Sequence, residues 1–143
     1  MDDRAVADTG PLVAIIRKRE DAHGRCVAAL RTLRPPLLTC WPVLSEAAWL
    51  LRDEPSAMKA LGELVRSGAV RLVELDEVAL HWIVAFLGRY ASAGAQMADA
   101  AVMYVAEREG IDTVFTLDRR DFSIYRTSDG RALSIVPEPS DLG

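Results

Sequence analysis

Short apolar runs alternate along this chain with longer segments in which apolar residues recur at helical spacing. The runs predict β-strands and lie at residues 4–8, 37–40, 70–75, 113–117 and 133–136. Segments of helical periodicity follow most of them. Strands that alternate with helices predict a mostly parallel sheet covered on both faces and joined by right-handed crossovers. The predicted fold class is therefore α/β, a three-layer α/β/α sandwich with a mostly parallel sheet of about five strands.

Prolines and a candidate cap mark the starts of several predicted helices. Pro11 is predicted at the first helical position, with Gly10 before it as the cap. Pro42 and Pro55 are predicted to begin two further helices in the same way. Another helix is predicted after Asp76, a candidate N-cap, because apolar residues then recur three and four positions apart.

The composition is that of a globular protein. Half of the 143 residues are hydrophobic and 27% are charged, which is too apolar for a disordered chain. The length predicts a single domain over residues 1–143. No apolar run is long enough to span a bilayer and the start MDDRA is charged, so we expect a cytoplasmic location and no membrane partner. A net charge of −4 argues against a protein that coats nucleic acid by charge alone.

Four acidic residues stand out by their positions. Asp8 and Asp118 each end a predicted strand, and open parallel sheets collect functional groups at the carboxyl ends of their strands. Glu46 and Asp99 lie in predicted helices among apolar neighbours, and neither has an arginine three or four positions away. A buried carboxylate in such a helix needs a metal ion or an arginine from elsewhere in the fold. A role in a turn or in a salt bridge would explain any one of these acids by itself. It is a poorer explanation for all four acids together.

Carboxylates without histidine or cysteine partners favour a hard cation, Mg²⁺ or Mn²⁺, over zinc or copper. Such an ion bridges phosphate oxygens and lowers the pKa of bound water, which are the two needs of phosphodiester cleavage. Cys26 and Cys40 have no metal-ligand spacing. His23, predicted in a polar turn, and His81, opposite an apolar helix stripe, accompany no nucleophile motif.

The stretches that carry the four acids resemble the PIN-domain family, particularly the VapC-type toxin ribonucleases of type II toxin–antitoxin pairs. They are DTGPLVAII at Asp8, PVLSEAAWLL at Glu46, MADAAVMYVAER at Asp99 and TLDRRDFSIYR at Asp118, in the family's order along nearly the whole chain. The resemblance implies a parallel α/β/α sandwich and a metal-dependent endoribonuclease with Mg²⁺ or Mn²⁺ as cofactor. It also implies that these four acids are the catalytic and metal-binding set.

Several residues near the four acids also have expected functions. By the same resemblance, Thr116 stands where the family often has a hydroxyl near the site, and Asp121 matches another frequent acid. Capping of the following turn is the alternative role for Asp121. Gln96 replaces an acid that many relatives carry, which leaves the number of metal ions open. Arg119 and Arg120 directly follow the last acid and are candidates for contacts with RNA phosphates.

The resemblance further implies an RNA substrate, a cognate antitoxin and a homodimer. Trp41, Trp49, Leu50 and the helix at 58–65 are candidates for the apolar groove of the antitoxin, with ordinary core packing as the alternative. Two functional alternatives stay open. One is a PIN-like binding scaffold without catalysis, favoured by Gln96 and by the acidic net charge. The other is a nuclease that acts on DNA.

Overall fold

The computed structural model describes residues 3–139 and places five parallel strands in one sheet. The strands are β1 (Val6–Ala7), β2 (Leu37–Thr39), β3 (Val70–Leu72), β4 (Thr113–Phe115) and β5 (Ser134–Val136). Their order across the sheet is β3-β2-β1-β4-β5, and every pairing is parallel. The predicted α/β fold is confirmed, although each strand occupies only part of the apolar run that predicted it.

The central strand β1 marks the point at which the strand order reverses. Strands β2 and β3 extend the sheet on one side of β1, whereas β4 and β5 extend it on the other. Open parallel sheets form a crevice at the carboxyl ends of the strands that flank such a point. The register pairs Val6 with Val114 and Ala7 with Phe115. The residues that follow these pairs, Asp8 and Thr116, therefore lie side by side at the crevice.

Seven helices flank the sheet within the described residues. They are α1 (Thr9–Ile16), α2 (His23–Thr32), α3 (Trp41–Leu50), α4 (Pro55–Arg66), α5 (Glu77–Arg89), α6 (Met97–Glu109) and α7 (Arg119–Phe122), with a 3₁₀ turn at Ala91–Ala93. Asp76 caps α5 as predicted, because its carboxylate accepts the Ala79 N–H at 3.0 Å. None of the helices within residues 3–139 has both the length and the apolar character needed to cross a membrane.

Two predicted helix starts were wrong by one or two residues. Helix α1 begins at Thr9 rather than at Pro11, and Asp8 rather than Gly10 occupies its N-cap position. Helix α3 begins at Trp41, one residue before the predicted start. A proline is tolerated anywhere in the first helical turn, because the N–H groups of that turn have no intrahelical acceptor. Proline therefore locates the first turn of a helix better than it locates the first residue.

Helix α2 was not predicted, and the polar turn assigned to His23 was wrong. His23 is the first residue of α2, and its Nδ1 lies 2.7 Å from the carbonyl oxygen of Ala14. Cys26 is the one fully buried residue of this helix. A helix that buries so little of its surface has a weak apolar stripe, which is why its periodicity does not stand out in the sequence.

Helix α6 lies at the centre of the fold. Eight of its 13 residues are buried, and it packs against α3, α5 and the strands β1, β2 and β4. Its nearly continuous apolar surface follows from contact on several sides. Asp99 stands in the first turn of this helix and is half-buried. The central position of α6 brings that carboxylate to the crevice beside β1.

Candidate active site

The four predicted acids converge on one cavity at the carboxyl edge of the sheet. Asp8 follows β1, Asp118 follows β4, Glu46 projects from α3, and Asp99 projects from the first turn of α6. All four line a cavity of about 500 Å³, which is also lined by Thr116. Residues that are far apart in the chain thus share one site, because parallel strands end at the same edge.

Asp8 is the most buried of the four acids, with 8% of its surface exposed. Its backbone N–H donates to the Phe115 carbonyl at 2.8 Å, which joins β1 to β4 directly at the site. Burial, together with smaller effects of the nearby charges of Asp99 and Glu46, raises the pKa of the Asp8 carboxyl to about 6, although hydrogen bonds from the Thr9 backbone and the Thr116 hydroxyl act to lower it. The site therefore holds negative charge at a position from which water is largely excluded.

Thr116 links two of the acids and is fully buried. Its hydroxyl donates to Asp8 Oδ2 at 2.8 Å and accepts the backbone N–H of Asp118 at 3.0 Å. One hydroxyl thus sets the orientation of a carboxylate on β1 and the path of the chain after β4. The placement agrees with the predicted hydroxyl near the site.

Asp118 and Asp121 form a pair at the start of α7. The Asp118 carboxylate accepts the Asp121 N–H at 3.1 Å and so caps this short helix. Asp121 also lines the cavity. Burial raises the pKa of Asp121, and the hydrogen bond to Asp118 and the charge of that carboxylate raise it further. Asp121 is therefore a fifth carboxyl group that lines this cavity, and its role in the site stays a prediction.

Glu46 lies in the cavity but is exposed, so the prediction that apolar neighbours bury it was wrong. Helix α3 packs through Val43, Leu44 and Ala47, and turns the side of Glu46 outward. The apolar neighbour Trp49 is 63% exposed on this outer side. The Thr9 hydroxyl lies 3.2 Å from Glu46 Oε2 and can donate to it, which joins α1 to α3 at the rim of the cavity.

Asp99 is held by two donors to the same oxygen. Asp99 Oδ2 accepts the Gln96 N–H at 3.1 Å and the Tyr125 hydroxyl at 3.0 Å. Burial raises the pKa of Asp99, and the charge of Asp118 adds to the effect. Sequence reasoning missed Tyr125. The sequence offered one signal, since Tyr125 lies in the stretch TLDRRDFSIYR, which also carries Asp118. A tyrosine that is buried there usually needs a hydrogen-bond partner for its hydroxyl.

The two arginines after Asp118 are placed differently. Arg119 Nη1 donates to the carbonyl oxygens of Ile135 at 3.2 Å and Pro137 at 2.9 Å, and so ties α7 to the end of β5. Arg120 is exposed. Phosphate contact stays a prediction for both residues, and Arg120 is the more accessible of the two.

The donor set of the cavity fits a hard cation. Within residues 3–139, no ion pair involves any of the four acids, although their charges repel one another. In the same residues, no group of three or more acidic, histidine or cysteine side chains is close enough to enclose a metal ion. Mg²⁺ is commonly held by one or two carboxylates together with water and substrate phosphates. The residues therefore fit such an ion as donors, without forming a complete coordination sphere by themselves.

The structure is a parallel α/β domain with a cavity of carboxylates at the switch point of its sheet, an arrangement that suits metal-assisted hydrolysis. The PIN domain family model matches residues 5–128, and the chain belongs to the PIN-domain family. The predicted family is confirmed. The match spans all four stretches that carry the acids of the cavity.

Individual relatives agree with this assignment. Over 134 residues the chain is 25% identical to Ribonuclease VapC26 of Mycobacterium tuberculosis (strain ATCC 25618 / H37Rv). The aligned residues cover 92% of this chain and 99% of the relative. The crystal structure of VapC20 from Mycobacterium tuberculosis, a Sarcin-Ricin loop cleaving toxin, superposes with a TM-score of 0.71 at 20% identity, over 77% of this chain and 86% of that one. The crystal structure of VapBC2 from Rickettsia felis, bound to a DNA fragment from the promoter, superposes with a TM-score of 0.62 at 13% identity. The superposition covers 92% of this chain and 96% of that one. These two structures support the fold.

Proposed function

We propose that this protein is a metal-dependent endoribonuclease, the toxin of a toxin–antitoxin pair, which hydrolyses RNA phosphodiester bonds. The observation that carries the proposal is the convergence of Asp8, Glu46, Asp99 and Asp118 on one cavity. Membership of the PIN-domain family and the likeness to Ribonuclease VapC26 support RNA as the substrate. In this proposal residues 1–143 act as one PIN-like nuclease domain in the cytoplasm.

Mg²⁺ or Mn²⁺ is the proposed cofactor. PIN-domain nucleases of the VapC type are generally metal-dependent, and a donor set made of oxygen atoms suits a hard cation. When bound, the ion supplies charge stabilisation at the phosphate and a water of lowered pKa for the attack on phosphorus. The chain contributes orientation: Thr116 holds the Asp8 carboxylate, and the first turn of α7 holds that of Asp118. In this proposal Arg120, which is exposed, neutralises a neighbouring RNA phosphate.

A cognate antitoxin is the proposed protein partner, since the VapBC2 assembly is a structural neighbour. Trp41 and Trp49 are each 63% exposed and Leu50 is 43% exposed on the outer side of α3. We assign the antitoxin contact to these three residues. Leu61 is buried, and Met58, Leu64 and Val65 pack against the core but keep part of their surface exposed, so a place for the helix at 58–65 in the groove stays a prediction. A homodimer stays part of the proposal, tested by light scattering of the purified protein.

The experiment that tests the proposed function is cleavage of labelled RNA and of single-stranded DNA by the purified protein. We expect cleavage of RNA with Mg²⁺ or Mn²⁺, loss of cleavage in EDTA, and restoration when metal is added back. Asp8→Asn and Asp99→Asn should abolish cleavage, while Asp21→Asn, which removes one exposed charge elsewhere, should retain it. All variants are first compared by circular dichroism, so that loss of activity is separated from loss of fold.

Each alternative function predicts a different outcome. Cleavage that survives EDTA contradicts the metal mechanism. Cleavage of DNA with RNA left intact supports the DNA nuclease. A folded protein that cleaves neither substrate with either metal, and whose expression is harmless to a bacterial host, supports the binding scaffold. Growth arrest on expression, relieved by co-expression of the gene beside it, is the result expected for a toxin.

A further inference from the structure

The side chain of Tyr125 is fully buried and enclosed by other aromatic rings. The rings of Phe86, Tyr90 and Phe122 each pack edge to face against it, with centroids 5.1 Å away. Such contacts fix the plane of the ring and the direction of its C–O bond. The hydroxyl donates to Asp99 Oδ2 at 3.0 Å. A rigid aromatic cluster therefore aims one polar group at one carboxylate of the proposed site.

The contact occupies one oxygen of the Asp99 carboxylate. Oδ2 accepts both the Tyr125 hydroxyl and the Gln96 N–H, whereas Oδ1 accepts no hydrogen bond from residues 3–139. Rotation of the carboxylate would break both bonds.

Tyr125 also connects two separate elements of the site. Its backbone N–H donates to the Asp121 carbonyl at 3.2 Å, and Asp121 in turn donates its N–H to the Asp118 carboxylate. The residue after it is anchored as well, because the Arg126 N–H donates to the Tyr90 hydroxyl at 3.0 Å. The hydroxyl of Tyr125 therefore joins the α7 segment, with its two acids, to the acid of α6.

We propose that Tyr125 is a positioning residue that holds Asp99 so that Oδ1 faces the cation and the scissile phosphate. The inference rests on the proposed function and deepens it, because it adds a residue that orients a metal-binding carboxylate and does not itself contact the substrate. Groups that orient metal-binding carboxylates commonly change metal affinity or activity by about 10–100-fold when they are removed. The alternative is a structural role alone, in which the hydroxyl only satisfies a buried oxygen.

The experiment compares Tyr125→Phe with Tyr104→Phe. Tyr104 lies on the same helix as Asp99 but packs against Trp82 and does not line the cavity, so its substitution is a matched removal of one phenol oxygen. For each variant we measure Mn²⁺ binding by calorimetry, RNA cleavage at saturating Mn²⁺, and unfolding in urea. We expect Tyr125→Phe to bind Mn²⁺ about tenfold more weakly and to cleave at least about tenfold more slowly. Tyr104→Phe should match the wild type in both measurements.

A double-mutant cycle with Asp99→Asn separates positioning from general stabilisation. If Tyr125 acts through Asp99, Tyr125→Phe has no further effect on Mn²⁺ affinity when Asp99 is already replaced. Equal Mn²⁺ affinity in Tyr125→Phe and the wild type overturns the inference, as does an equal loss of affinity in both backgrounds of the cycle. A wild-type protein that neither binds Mn²⁺ nor cleaves RNA overturns the proposed function itself, which is a distinguishable result.

Discussion

Replacement of Asp8 by asparagine should stabilise the metal-free protein at neutral pH while it abolishes RNA cleavage. The carboxyl is 8% exposed, and its pKa is raised from 3.8 to about 6 by burial and by neighbouring carboxylates. Because one pH unit of pKa difference corresponds to about 1.4 kcal/mol, the rise from 3.8 to about 6 costs the folded state about 3 kcal/mol. Asparagine has the same shape, keeps an oxygen for the Thr116 hydroxyl and carries no charge.

The sign of the effect defines its pH window. A carboxyl whose pKa is raised by folding binds more protons in the folded state than in the unfolded state, between pH 3.8 and about 6. The contribution of Asp8 to the stability of the metal-free wild type therefore falls as pH rises through this range and levels off above it. The asparagine of the variant does not titrate in this range. The advantage of Asp8→Asn should thus be absent below about pH 4, grow up to about pH 6, and stay constant above it.

The assay is urea denaturation of metal-free protein at pH values from about 4 to about 8. With an m-value of about 2 kcal/mol/M, a gain of about 3 kcal/mol moves the midpoint upward by about 1.5 M at neutral pH. Asp21→Asn, which removes one exposed acid, is the control for net charge and should leave the midpoint unchanged. The reasoning is refuted if Asp8→Asn gains nothing at neutral pH, or if it gains as much at the acidic end of the range as at the neutral end.

Three further substitutions test how the site is supported. Thr116→Val removes the hydroxyl that donates to Asp8 and accepts the Asp118 N–H. Urea denaturation should show that the free energy of unfolding falls by about 2 kcal/mol, and cleavage should slow. Unchanged stability would show that these hydrogen bonds contribute nothing. Gly94→Ala places a side chain at φ 74° on the rim of the cavity, and thermal or urea unfolding should reveal a loss of about 1–2 kcal/mol. Leu12→Ala truncates a fully buried side chain and should lose about 3 kcal/mol or more; a loss under about 1 kcal/mol would contradict close packing of α1 on the core.

Much of the fold could be predicted because its signals are local. Apolar runs marked all five strands, and Asp76 and Pro55 marked helix starts that the structure confirms. The errors fell where local signals are weak. Helix α2 presents one fully buried residue, so it shows little periodicity, and Pro11 located the first turn of α1 without locating its first residue.

The chemistry of the site was predictable to the level of residue type and place in the chain. Asp8 and Asp118 end strands, and parallel strands share one carboxyl edge, so their meeting follows from the topology. The surroundings of Glu46 were not predictable, because apolar neighbours such as Trp49 and Leu50 are themselves on the outer side of α3. Which side of a helix faces the core depends on what the helix packs against, and the sequence of the helix alone does not contain that information.

The amino-acid sequence by itself determined the alternation of strands and helices and the order of the four acids along the chain. Only the tertiary structure decided the contacts that orient these acids. Thr116 meets Asp8 across 108 residues of chain, and Tyr125 meets Asp99 across 26. Such hydrogen bonds form because packing brings the ends of β1 and β4 together, and likewise the start of α6 and the segment after α7, so that donor and acceptor oxygens lie about 3 Å apart. Local pattern determines which residues reach the site, whereas packing determines how each side chain is held there.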